Sequence, residues 1–108
     1  METIRIILCT FPSADAARRI GTALVEKQLA ACVNLIPAVE SIYRWQGKVE
    51  QAAETLAIFK TTTAAWPDFE RELTTLHPYD VPEIVAIEPA AVAKTYARWV
   101  LGETKGWL

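Results

Sequence analysis

Two arms, CVNLIPAVESIYRW (Cys32–Trp45) and KVEQAAETLAIFKTT (Lys48–Thr62), are joined by Gln46-Gly47, and this stretch decides the fold. Both arms read as strand and the two-residue joint reads as a hairpin turn. At about 3.3 Å per residue an arm reaches about 45 Å, whereas a domain of this length has a radius of gyration of about 13 Å. The ribbon is longer than its own core can cover. A projecting apolar ribbon presents unpaired backbone donors and acceptors, which a soluble protein covers, commonly with another copy of itself. The stretch therefore predicts an assembling domain. Pro37, lacking a donor, predicts an edge or a bend in the first arm. Leu56 and Ile58 on one face of the second arm, with Ala57 and Phe59 on the other, predict a strand at the centre of a sheet.

Working outward from the hairpin, Ile4, Ile6 and Leu8 predict a short strand that ends at Cys9-Thr10 before the Phe11-Pro12-Ser13 break. Ser13 is a fitting N-cap, with Asp15 in the first turn and Ala17, Ile20, Leu24 and Val25 at helical spacing to about residue 29. After the hairpin, Trp66, Phe69, Leu73 and Leu76 predict a second helix, with Pro67 tolerated in its first turn and His77-Pro78 ending it. Residues 83–87 read as a fourth strand. Val92, Tyr96, Trp99 and Val100 predict a third helix closed by Gly102, and Lys105-Gly106-Trp107-Leu108 reads as a short edge strand. The order is β-α-β-β-α-β plus a terminal helix, the split βαβ arrangement of a ferredoxin-like α+β fold. Right-handed crossovers place both main helices on one face of an antiparallel sheet. Cys9, His77, the start of strand four and the hairpin tip then share one end of the domain, with Cys32 at the other.

Composition narrows the function. The 108 residues fit one domain spanning 1–108, and 52% apolar residues with 22% charged ones leave apolar surface to bury at an interface. The formal charge is −2 and no basic stripe occurs, which argues against nucleic acid as a partner. No apolar run approaches the roughly 20 residues that cross a bilayer, and Met1-Glu2-Thr3 leads into a strand without a charged leader. The chain reads as cytoplasmic, and its two cysteines as free thiols. Gly21, Gly47, Gly102 and Gly106 form no glycine-rich loop for a phosphate. Glu70 and Glu72 fall on different helix faces and read as solvated surface.

Five blocks carry a resemblance: Leu8-Cys9-Thr10-Phe11-Pro12, the run from Ala30 to Pro37, the run from Ser41 to Lys48, Phe59-Lys60-Thr61-Thr62, and the run from Leu76 to Ile84. In order and spacing they resemble the CutA-type divalent-cation tolerance proteins over nearly the whole chain. The resemblance implies a ferredoxin-like fold and an interlocked homotrimer whose long hairpins extend sheets across subunits. It also implies a role in response to divalent metals, notably copper, and an architecture similar to the trimeric PII signalling proteins, which bind ligands in clefts between subunits. In the family, a cysteine of the strand-one motif and histidines at the end of the second helix are associated with copper. Those positions fall on Cys9 and His77, while Leu76 stands where the two-histidine version has its other imidazole.

Thiolate plus imidazole suits copper or zinc, but two ligands do not close a tetrahedral site. Asp80, Glu83, water or a second subunit would complete it. The plainer alternative makes Cys9 a small buried hydrophobe and His77 a cation at a helix C-terminus. Cys9, His77 and Asp80 also have the residue types of an activated thiolate, without an oxyanion hole or elbow motif to support catalysis. Tyr43, Trp45, Lys60, Tyr79 and Glu83 combine aromatic faces, one cation and one carboxylate, the mixture expected of a ligand cleft, although Tyr43 and Trp45 also suit interface packing. Pro78 and Pro82 stiffen the loop between them. The sequence thus predicts a homotrimer that binds or responds to copper or another divalent ion, without organic cofactor or catalysis. The alternative is a PII-like module that binds a small ligand at subunit clefts and signals to a protein partner.

Overall fold

The computed structural model describes residues 3–105. The elements are β1 (Ile4–Phe11), α1 (Ala14–Glu26), β2 (Cys32–Trp45), β3 (Lys48–Thr62), α2 (Trp66–Leu76), β4 (Ile84–Ile87) and α3 (Lys94–Glu103). The sheet order is β2-β3-β1-β4, with every neighbouring pair antiparallel. The expected ferredoxin-like α+β topology is present, and β3 lies at the centre as its two apolar faces predict. The edge strand expected of the tail lies, beyond Lys105, outside the described residues. The Lys105 amide donates to the Gln28 carbonyl at 3.0 Å.

Alternation along the strands sorts the two sheet faces. Ile7, Cys9 and Phe11 of β1 share one face with Ala57 and Phe59 of β3, and α1 and α2 cover it with Ile20, Leu24, Phe69 and Leu73. Ser13 caps α1 by accepting the Ala16 amide at 3.1 Å. On the other face, α3 covers one end through Val100 against Ile4 and Ala31. Farther along that face Ile36, Val85 and Ile87 remain open, at 45, 46 and 42% exposure.

Phe11 is the last residue of β1 to pair with β3, opposite Thr55. Beyond it β2 and β3 continue together to the turn at Gln46-Gly47, so the hairpin outruns the sheet. The molecule is 43 Å along its longest axis, with a radius of gyration of 14.3 Å, above the roughly 13 Å expected of this length. Both turn residues have positive φ, 50° and 81°, the signature of a type I′ turn matched to strand twist. Between Ile36 and Val39 the register slips. Pro37 and Ala38 face Thr55 alone, so the bend expected at Pro37 is a β-bulge.

Two expected boundaries shift. Helix α1 stops at Glu26 instead of about residue 29, because Gln28 turns left-handed at φ 59°. The Gln28 amide then bonds the Val25 carbonyl and the Leu29 amide the Leu24 carbonyl, each at 3.0 Å. This is a Schellman ending with buried Leu29 folded back on Leu24. Gly102 does not close α3 but lies within it, and Thr104 ends the helix with its hydroxyl donating to the Val100 carbonyl at 2.9 Å.

Candidate functional site

The second helix ends where its sequence demands. His77 precedes proline and is extended, at φ −70° and ψ 137°. The turn directs its ring back onto Phe11, with centroids 4.7 Å apart and planes 20° from parallel. Nε2–H of His77 donates to the Thr10 carbonyl at 2.8 Å, and Nδ1 accepts the Tyr79 amide at 3.1 Å. Burial lowers the imidazole pKa, opposed by the Thr10 bond and by Glu54. The ring is therefore neutral, and the reading of His77 as a cation at the helix C-terminus is corrected: its position below the loop removes the hydration that a charge needs.

Cys9 lies on the same acceptor. Its thiol points at the Thr10 carbonyl at 3.8 Å, so the structure brings Cys9 and His77 together around one oxygen. The thiol is fully buried, and its pKa is pushed up to about 12, first by burial and then by the carboxylates of Glu83 and Glu54. A protonated thiol beside an imidazole whose Nδ1 faces a backbone amide instead of Asp80 does not form the activated Cys9, His77 and Asp80 set. Among the described residues, no three of the His, Cys, Asp and Glu side chains are grouped to hold a metal ion.

Above this pair lies a cleft of about 790 Å³ between the hairpin and the loop after α2. Period-two alternation places Ser41, Tyr43 and Trp45 of β2 on one hairpin face with Glu54 of β3. Tyr79, Asp80 and Glu83 approach from the loop. The Tyr79 hydroxyl donates to Glu54 Oε2 at 2.7 Å. Burial raises the Tyr79 pKa well above the usual phenol range, and the bond to Glu54 adds to the rise.

The structure brings Tyr43, Trp45, Tyr79 and Glu83 of the expected set to the lining of one cleft. Lys60 is the exception. It pairs in register with Cys32 and Ile6, toward the opposite end of the sheet, and its ammonium donates to Asn34 Oδ1. Sequence reasoning also missed Glu54. It looks like one more polar residue in the distal half of the hairpin, and only the tertiary contact of the Tyr79 hydroxyl marks it out.

The fold and cleft define a class: a ferredoxin-like protein with an overlong hairpin and an acid-and-aromatic cleft at the base of that hairpin. A family model for the CutA1 divalent ion tolerance proteins matches residues 5–103. A divalent-cation tolerance protein CutA of Thermus thermophilus is 48% identical over 99 residues, covering 92% of this chain and 96% of that protein. The human protein CutA is 42% identical over 91 residues, of which this chain spans about half the length (51%). Among solved structures, the Thermus thermophilus protein superposes with a TM-score of 0.90 over 96% of this chain and 99% of that one. The Oryza sativa CutA1 is 33% identical with a TM-score of 0.92, over 95% of this chain and 94% of that one. The chain belongs to the CutA1 divalent ion tolerance family.

Proposed function

We propose that this chain serves divalent-metal tolerance as a cytoplasmic homotrimer that binds and assembles without catalysis. The observation that carries the assembly is the open apolar face around Ile36, Val85 and Ile87, with Ile42 and Val49 also exposed, at 60 and 66%, on the opposite face of the hairpin. Apolar surface of this kind marks an interface in a soluble protein, and a head-to-tail contact that closes into a three-membered ring of copies of the same chain would cover it. Two free thiols, Cys9 and Cys32, fit a reducing compartment. Sedimentation at micromolar concentration tests the assembly: three times the 12.0 kDa chain mass supports it, and a stable monomer overturns it.

Copper, or another divalent ion, is the proposed metal, with Cys9 and His77 its candidate ligands. Ligation there requires the thiol to lose its proton and the imidazole to release either Thr10 or Tyr79. Metal capture is thereby coupled to loss of one of the two contacts that hold the His77 ring between β1 and the loop after α2. Copper titration of the native chain against a Cys9→Ala/His77→Ala double variant tests it, and equal binding by the two removes these residues from the site.

A second reading, a PII-like module that binds a small ligand in its clefts and signals to a protein partner, is favoured by the cleft itself. Its volume, aromatic walls and few polar groups are those of a ligand site.

A further inference from the structure

We infer that the cleft between the hairpin and the loop after α2 takes an organic cation, an ammonium or guanidinium group, with Glu54 as its ion-pair partner. The inference rests on the ligand-cleft reading and names the chemistry of its occupant. Glu54 is only 8% exposed and lines the cleft, yet its donor is the neutral hydroxyl of Tyr79 at 2.7 Å. A carboxylate taken this far from water needs a compensating charge. The chain does not supply one among its described residues: the ion pairs are Asp15 with Arg18, Lys27 with Glu72, and Asp68 with Arg71, all remote from the cleft. Arg44, between Tyr43 and Trp45 in sequence, points to the other hairpin face and donates to the Gly47 carbonyl at 3.3 Å. Lys48, opposite Trp45 at the turn, does not line the cleft.

The remaining charges have the same sign. Glu40, Asp80 and Glu83 join Glu54 in the lining, which contains no Lys or Arg. This field repels phosphate-bearing ligands and attracts cations. The acids are not grouped to coordinate a single metal ion, so the fitting cation is one whose charge is carried on a larger body. Tyr43 and Trp45 supply what such a body prefers, since aromatic faces attract ammonium and guanidinium groups. A buried carboxylate and two aromatic rings on one hairpin face define a site for an amine.

Calorimetric titration of the full chain with choline and with agmatine tests this, alongside the neutral carbon isostere of choline. The expected result is that each cation binds at least about tenfold more tightly than the isostere, with about tenfold loss in Glu54→Gln and in Tyr43→Ala. Tyr43 is half exposed, so its variant keeps the fold if Glu54→Gln does not. Equal binding of choline and its isostere overturns the cation while leaving the ligand cleft standing. Absence of binding by all three probes overturns both. If Glu54→Gln instead loosens the assembly in sedimentation and leaves probe binding unchanged, a neighbouring copy answers the buried charge, and the inference falls.

Discussion

His77 and Thr10 are joined by a 2.8 Å hydrogen bond from the imidazole Nε2–H to a strand carbonyl, and this bond fixes the end of α2 to the end of β1. The neutral ring is part of the fold's closure. In the unfolded chain the imidazole takes up a proton near pH 6.5, whereas burial lowers the folded value. The unfolded state therefore binds more protons in the window below 6.5. The contribution of His77 to stability is whole above that value and drains as pH falls through the lowered folded pKa. Thermal denaturation between about pH 7.5 and about pH 5 is expected to show a falling midpoint, with a shallower fall in His77→Gln. An identical pH dependence in the variant contradicts this account.

Cys9 behaves in the opposite sense. Its folded pKa near 12 exceeds the ordinary 9.0, so the protonated thiol stabilises the fold below pH 9.0 and that contribution is lost as pH rises toward 12. A thiol reagent at about pH 8 is expected to label Cys32 in the native protein and Cys9 only on unfolding. Rapid labelling of both cysteines in the folded chain would refute the burial argument.

Tyr79 donates to the buried Glu54 carboxylate, and its removal is correspondingly costly. Tyr79→Phe leaves a buried carboxylate with one partner fewer and is expected to cost about 2 kcal/mol in denaturant unfolding. Glu54→Gln in the Tyr79→Phe background removes the charge and is expected to recover part of that loss, giving a coupling energy in a double-mutant cycle. Additive effects would show that the 2.7 Å bond does not couple the two groups.

The strands and helices were legible because their periodicities are local: alternation in Ile4, Ile6 and Leu8, and three- and four-residue steps from Trp66 to Leu76. Where a boundary moved, a conformation that the residue type does not advertise was responsible. Gln28 adopts a left-handed φ usually given to glycine, and Gly102 sits inside a helix. The cleft was legible in Tyr43, Trp45, Tyr79 and Glu83 because aromatic and acidic residues near turns are informative on their own. Glu54 was not, since its role depends on a contact with a residue 25 positions away. Lys60 was misplaced for the same reason, because register, which is set by long-range pairing, carries it to the Cys32 end.

The open sheet face gives a prediction for assembly. Val85 and Ile87 of β4 and Ile36 of β2 have little to lose in the isolated fold, being 42 to 46% exposed. Val85→Asp and Ile36→Asp are therefore expected to leave the helical signal of the monomer intact while moving the sedimenting species to lower mass at micromolar concentration. Retention of the native oligomer in both variants would show that this face is not the interface.

Gln28 and Gly47 make a paired test of the left-handed positions. At Gly47, φ is 81° and an added Cβ meets nothing within 4 Å, so Gly47→Ala isolates the backbone cost of a positive φ. A loss of about 1 kcal/mol is expected. At Gln28, φ is 59° in a Schellman ending that already has its two backbone bonds. Gln28→Gly removes that strain but adds freedom to the unfolded chain, and the difference leaves a gain of about 0.5 kcal/mol. Chemical denaturation of the two variants reads both effects, which are expected to have opposite signs. A destabilised Gln28→Gly would mean that the side chain contributes more than its backbone conformation costs.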